Sequence, residues 1–355
     1  MKIVGIGGGT GLPILLRGLK ELNDCGEETL DITAVVGVSD NGGSTGILRD
    51  EFNMPAMGDL RNSIISLASC KSVLSSLCQH RFHGTNGFSG HCFGNLMFAA
   101  LYQMNGSFCA AVRQACDLLQ TDGVVLPATE TPVHLWATHE NGTISDGESN
   151  IPKSPSRVDR VGLTPADAQP APGVVEALIK ADAIVFGPGS LYTSVVPSLL
   201  IDGIAEAIAV SKAVKIYVCN LMTQPGETSG YSAVDHVRAL QSYLPPGTLD
   251  VCVINTETVG NGVAARYSSQ GSNFVVFDSE AESDIRRAGV LPAAVPLLKR
   301  GETKIRHDSL TLARLVVSLG RGAVGSQDAV AQTEWEVTCA ESWGISVPEK
   351  SQAYS

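Results

Sequence analysis

Short apolar runs alternate along the chain with stretches whose apolar residues recur at helical spacing. Ile3–Ile6 is an apolar run followed by Gly7-Gly8-Gly9-Thr10-Gly11, and then Leu12, Leu15, Leu16, Leu19 and Leu22 mark one helix face. Further strands are predicted at Ile32–Val38, Val124–Pro127, Val133–Thr138, Ala183–Phe186, Val214–Asn220, Val251–Asn255 and Phe274–Phe277. Helical periodicity runs through Leu60–Leu77, Cys92–Met104 and Phe108–Leu119. Continuous apolar strands alternating with helices predict an α/β fold, a mostly parallel sheet covered on both faces. In such sheets, ligands bind at the carboxyl ends of the strands.

Two regions depart from this alternation. Residues 139–172 are rich in Gly, Pro, Ser, Asn and Asp and read as a loop or hairpin excursion. The alternation resumes after them, so residues 1–322 are expected to form one Rossmann-like domain. Residues 323–355 carry Asp328, Glu334, Glu336, Glu341 and Glu349 against Lys350, the signature of an acidic, frayed tail.

Across 355 residues, 25 Lys and Arg face 36 Asp and Glu, a formal net charge of -11. That balance excludes a protein held on nucleic acid or an anionic membrane by its overall charge, and leaves room only for a local basic site. Hydrophobic residues at 44% and charged residues at 17% are ample for a packed core. The nine cysteines are scattered and never spaced CxxC, so reduced thiols in the cytoplasm are expected. The N-terminal residues lack an apolar signal region, and no run has the length of a membrane-spanning helix. The 37 glycines beside only 5% aromatic residues point to many tight turns and close backbone approaches.

The glycines gather where strands run into helices. Gly5-Ile6-Gly7-Gly8-Gly9-Thr10-Gly11 can bring backbone N–H groups against a phosphate at a helix N-terminus. It is neither a Walker A loop nor GxGxxG, and Asp31 precedes the second strand instead of ending it. No nicotinamide or flavin is therefore expected, and an unliganded tight turn is the plain alternative. Ser39-Asp40-Asn41-Gly42-Gly43-Ser44-Thr45-Gly46 ends the second strand. It could hold a divalent ion, a ribose or a phosphate, or be a simple Asx-turn. In Gly58-Asp59-Leu60-Arg61-Asn62, Asp59 suits an N-cap, whereas Arg61 in the first helical turn opposes the helix dipole and hints at an anion. Asp40 and Asp59 together could supply a sparse, water-rich Mg²⁺ site.

His80, His83, His91, Cys78 and Cys92 fit no zinc spacing. His91, opening a helix in His91-Cys92-Phe93-Gly94-Asn95, remains a ligand-contact candidate. Phe186-Gly187-Pro188-Gly189-Ser190-Leu191-Tyr192-Thr193-Ser194 forms another anion or sugar cradle. Asn220, Thr223, Gln224, Gly226, Glu227 and Thr228 follow a strand with directional hydrogen-bonding groups suited to a base or sugar edge. Asp235 and His236 read as a helical surface pair. No GxSxG elbow is present, so no acyl-hydrolase triad is supported.

Six ordered blocks resemble one family: GGGTG with LLRGLK, SDNGGSTGILR, GDLRN, GHCFGNL, FGPGSLYTS, and CNLMTQPGET with DHV. Together they look like the gluconeogenesis factor (YvcK-like) family, of the same superfamily as the 2-phospho-L-lactate transferases. The resemblance implies a Rossmann-like fold, a cytoplasmic location, and a role in growth on gluconeogenic carbon sources and in cell-shape or cell-wall homeostasis. One branch is associated with UDP-sugar binding, and the other transfers a phospholactyl group from a nucleoside diphosphate donor with a divalent metal. Carried onto this chain, Gly8–Gly11, Gly187–Thr193 and Asn220–Thr228 would form a nucleotide-sugar pocket. Asn41, Gly43, Ser44, Arg61, Asn62, His91 and Asn95 are further ligand candidates, and Asp40 and Asp59 are the metal candidates. The family's loop usually carries a second acid where Asn41 stands, which favours ligand sensing over metal-dependent transfer. The leading expectation is a UDP-sugar-binding regulator with no catalytic residue named, and a phospholactyl-type transferase is the alternative. A homodimer is compatible with general oligomer statistics, and the regulatory protein partner is open.

Overall fold

The computed structural model describes residues 1–69, 73–85, 87–300 and 304–325. The expected tail at 323–355 lies almost wholly outside the described residues. Ten strands and thirteen α-helices, with one 3-10 helix (Glu148–Lys153) and one π-helical turn (Leu191–Val195), follow in chain order among the described residues. The strands are β1 (Lys2–Gly7), β2 (Asp31–Val36), β3 (Val124–Pro127), β4 (His134–His139), β5 (Ile144–Asp146), β6 (Val158–Thr164), β7 (Ala183–Phe186), β8 (Val214–Val218), β9 (Val251–Asn255) and β10 (Leu291–Val295). The helices are α1 (Leu12–Asp24), α2 (Gly43–Phe52), α3 (Gly58–Leu67), α4 (Val73–Gln79), α5 (Phe93–Asn105), α6 (Phe108–Leu119), α7 (Val174–Lys180), α8 (Val196–Leu199), α9 (Ile204–Val210), α10 (Ala233–Gln241), α11 (Asn261–Ser268), α12 (Ser279–Arg287) and α13 (Ser309–Gly325).

Seven strands form one parallel sheet in the order β10-β9-β8-β7-β1-β2-β3. The chain builds outward from β1 through β2 and β3 on one side. It then returns to β7 and builds outward through β8, β9 and β10 on the other. The reversal between β1 and β7 opens a crevice at their carboxyl ends, where ligands bind in this architecture. The central strands are buried almost throughout, which explains their unbroken apolar runs.

Four sequence expectations are corrected. Phe274–Phe277 is not a strand of the sheet, because it crosses the tips of other loops through isolated bridges, Met222 with Phe274 and Ser232 with Val276. The outermost strand is instead β10, whose small residues and Pro292 masked it; a proline is tolerated there because an edge strand needs no N–H on its open side. The single helix expected over Leu60–Leu77 is two, α3 and α4. After Leu67 the backbone turns extended at Ala68, which bridges Thr121. His236 is fully buried, its Nδ1 2.8 Å from the Ser232 carbonyl, so it is not half of a surface pair; Asp235 completes a capping box with Ser232.

The excursion is a small antiparallel sheet, β5-β4-β6, and it begins at β4 and not at residue 139. Leu135, Ala137 and His139 of β4 point inward while the residues between them are more exposed, the period-two pattern of a strand buried on one face. Trp136 lies over Gly162 of β6, where a Cβ would sit 2.2 Å from the indole. The seven described cysteines are all free. No single described helix is long and apolar enough to cross a membrane.

α1 buries Leu12, Leu15, Leu16, Leu19 and Leu22 completely or nearly so, and its opposite shoulder meets α13. The contact is close because residue 18 has no side chain. A Cβ at Gly18 would stand 1.9 Å from the Ser309 carbonyl oxygen and 2.9 Å from Ala313 Cβ. Gly18→Ala must therefore push two backbones apart, and it is expected to lower unfolding stability by about 1–3 kcal/mol. A urea-unfolding midpoint unchanged from the parent chain would contradict this packing.

Candidate functional site

β1 delivers the first glycine loop to the crevice, and β7 delivers Gly187–Ser190 beside it. The two loops touch backbone to backbone. A Cβ at Gly11 would lie 2.2 Å from the Pro188 carbonyl oxygen, so only glycine permits the approach. Gly9 has φ +63°, left-handed backbone that strains other residues. Together with the segment after β8, these loops border a cavity of about 460 Å³. Gly9, Thr10, Gly11, Gly189, Ser190, Asn220, Thr223 and Gln224, all predicted from the sequence, line it.

The lining groups hold one another. Gln224 Nε2 donates to Ser190 Oγ, and Asn220 Nδ2 donates to Gln224 Oε1 at 3.3 Å. Thr223 is tied to Asn273 through both backbone and hydroxyl. The far wall was missed by sequence reasoning and consists of Tyr267, Lys304, Arg306 and His307. Tyr267 OH accepts from the Ile305 N–H at 3.0 Å, fixing this basic segment against α11. His307 is 95% inaccessible by its 5% exposure, and burial lowers its pKa to about 4, so the ring is neutral at pH 7. Its Nε2 is buried with no hydrogen-bond partner. The cluster Lys304-Ile305-Arg306-His307, basic at three of four positions, was the available signal.

A second chemistry sits beside the cavity. Asp40, at the end of the β2 loop, accepts from the Gly42 N–H at 2.8 Å. Asp59 packs its carboxylate against Gly8, where a Cβ would lie 2.5 Å from Oδ2. Burial, reinforced by Asp40 and opposed by the Gly9 N–H and Arg61, pushes Asp59 up to about 6. Glu148, from the turn between β5 and β6, joins this group, with Ser39 Oγ 3.4 Å from its Oε2. Burial first, then the charges of Asp40, Asp59 and Glu227, hold Glu148 well above the ordinary carboxylate range. Nothing in the local sequence marks Glu148, because the excursion carries it to Ser39 from 109 residues away, just as it carries Ser149 to Asn41. Among the described residues no three His, Cys, Asp or Glu side chains converge to chelate an ion. Asp40 and Asp59 would offer a divalent cation few oxygens and leave most of its shell to water.

The family model described as 2-phospho-L-lactate transferase CofD matches residues 3–298. The chain belongs to the CofD/YvcK family. A relative from Thermotoga maritima, provisionally named a gluconeogenesis factor, is 44% identical over 322 residues, 90% of this chain and 100% of that one. The gluconeogenesis factor of Bacillus subtilis is 40% identical over 318 residues, 90% of this chain and 98% of its own. A crystal structure of a Bacillus halodurans protein superposes with a TM-score of 0.84 at 40% identity, covering 89% of this chain and 98% of that chain.

In this CofD/YvcK chain, several candidates make contacts within the protein and line neither the cavity above nor its neighbour described below. Asn41 Oδ1 accepts from the Ser149 N–H at 2.9 Å, so its amide latches the excursion. Ser44 Oγ lies 3.1 Å from His91 Nδ1 and takes a hydrogen bond from Asn95 Nδ2 at 3.2 Å, a buried knot joining α2 to α5. Gly43 opens α2 with φ +45°. Leu191, Tyr192 and Thr193 form a buried π-helical turn, and Glu227 braces it by accepting from Thr193 Oγ1 at 3.3 Å and from the Tyr192 N–H. Thr228, fully buried, accepts from the Gln224 N–H at 3.0 Å. Gly226 packs on Pro152 and Gly187 on the end of β8. Arg61 and Asn62 border the neighbouring cavity.

Glu227 is 2% exposed, and burial raises it from its usual 4.5 to about 7. Between those values the folded chain keeps a proton that the unfolded chain has released, so stability falls as pH rises through this window and levels off above it. Glu227→Gln removes the titration and keeps an acceptor for Thr193. Urea unfolding across pH 4.5 to 7 should show a shallower decline in the variant; identical slopes would contradict the assignment.

Proposed function

We propose that the chain binds a nucleotide sugar, of the UDP-sugar class, at the β1/β7 crevice and acts as a ligand-responsive regulator in the cytoplasm. The observation that carries this reading is the composition of the 460 Å³ cavity. Its floor offers the backbone of Gly9–Gly11 at the start of α1, its wall offers Lys304 and Arg306, and its rim offers neutral Asn220, Thr223 and Gln224. Backbone amides at a helix start and two cations suit a diphosphate. Amides and hydroxyls suit base and sugar edges, and Tyr267 adds an aromatic surface. The relatives named gluconeogenesis factor support a role connected with gluconeogenesis; regulation, growth on gluconeogenic carbon sources, and cell-shape and wall homeostasis rest on the resemblance alone.

A transferase using a nucleoside diphosphate-linked donor is the second reading, favoured by the CofD family description and the acidic group Asp40, Asp59 and Glu148. There Asp40 and Asp59 would hold a water-rich Mg²⁺, whose charge would offset the phosphates. The proton that Asp59 retains to about 6 would leave as the ion binds.

Titration of the folded chain with UDP-N-acetylglucosamine followed by calorimetry decides the first reading. Saturable binding is expected, weakened about tenfold in Arg306→Gln by loss of a charge-assisted phosphate contact. No heat at millimolar ligand would overturn it. Product formed from a nucleotide donor, and lost in Asp59→Asn, would establish the second reading.

A further inference from the structure

Beyond Thr10 and Arg306, which line both spaces, lies a second cavity of about 290 Å³. Its polar lining is Arg17, Arg61, Arg81 and Arg306 with Asn62 and Gln79, and no Asp or Glu borders it. In a chain of net charge -11, four guanidinium groups around one small space are a local reversal of sign. Arg61 is built in. Its stem lies against Gly94, where a Cβ would sit 2.6 Å from Cδ, and its guanidinium donates to Asn95 Oδ1 and, at 3.0 Å, to Asn62 Oδ1. Its Nε is buried with no partner. Asn62 in turn reaches the Gly9 carbonyl at 3.4 Å, joining this cavity's wall to the first glycine loop.

The charges exceed what one nucleotide sugar needs. A diphosphate diester carries one negative charge per phosphate, and the first cavity already meets it with Lys304, Arg306 and the glycine-loop amides. Arg17, Arg61 and Arg81 line only the second cavity, beyond Thr10; Arg81 also donates to the Gly90 carbonyl, and Arg61 also acts on Asp59. Guanidinium forks match the oxygen geometry of phosphate, and a phosphomonoester presents more charge than either phosphate of a diester. We propose that the arginine cavity is a separate anion site for a small phosphate-bearing molecule, coupled to the nucleotide-sugar site through the shared Arg306. Only the coupling rests on the nucleotide-sugar reading. Occupation of both sites would set two anions on either side of one guanidinium, so each ligand changes the affinity of the other.

Inorganic phosphate is the probe, titrated calorimetrically into the full chain alone and again with saturating UDP-N-acetylglucosamine. Saturable phosphate binding is expected in both, with a shifted affinity in the second and weaker binding at high salt. Arg81→Gln and Arg17→Gln, at exposed positions confined to the second cavity, should each weaken phosphate about tenfold, with circular dichroism unchanged. Arg306→Gln should weaken both ligands. Three results would each overturn the proposal: no phosphate binding at millimolar concentration, equal binding in the variants, or full displacement of phosphate by the nucleotide sugar. Displacement would mean that one ligand spans both spaces. Phosphate binding without any nucleotide-sugar binding would support the separate anion site and remove only the coupling and the first cavity's assigned ligand.

Discussion

The contact between Gly11 and the Pro188 carbonyl is the constraint around which the site is arranged. Two neighbouring parallel strands, β1 and β7, end level with each other, and each must hand the chain to a helix in the same confined space. A side chain at residue 11 would collide with the Pro188 carbonyl, force the two loops apart and open the floor of the crevice. With glycine there, both backbones can turn their polar groups toward a common ligand. The hydrogen-bonded trio Asn220, Gln224 and Ser190 then links the β8 loop to the same floor. Three strand ends thus behave as one surface.

Charge is distributed around that surface with a clear polarity. Basic groups come from the 304–306 segment and from Arg61, on one flank of the glycine loop. Acidic groups come from Asp40, Asp59 and Glu148 on the other. Gly8 abuts Asp59, and Arg61 lies near enough to the same carboxylate to favour its charge. Burial pushes Asp59 and Glu148 toward their neutral forms, which lessens repulsion of an incoming phosphate. The neutral His307 extends the same logic to the cavity wall, offering a nitrogen with no charge attached.

The parallel sheet was legible in the sequence because its central strands are buried on both faces and read as unbroken apolar runs. β10 was not, since Leu-Pro-Ala-Ala-Val carries too little apolar bulk and a proline. The break between α3 and α4 was hidden because periodicity continues across it, and only the long-range bridge from Ala68 to Thr121 shows why the helix stops. At the site, glycine loops were legible because their conformations demand glycine. Glu148 and Tyr267 were not, for they enter from distant segments whose local patterns are ordinary, and the basic run around Arg306 carries no local sign of the cavity it lines. The residues Ser44, His91 and Asn95 carry chemistry-bearing groups, yet the fold uses them to join helices. A polar group in sequence does not reveal whether its partner is a ligand or the protein itself.

The latch at Asn41 has a consequence for what an acid at that position would do. An amide accepts from Ser149 while its nitrogen rests against Gly147 without charge. A carboxylate there could still accept, but it would press a negative oxygen on the close Gly147 approach and crowd Asp40, Asp59 and Glu148 with like charge. The small antiparallel sheet and the β2 loop would then repel where they now clasp. Placing an acid at position 41 is therefore a mechanical change before it is a chemical one, because it loosens the contact that holds the small sheet, and Glu148 with it, against the β2 loop.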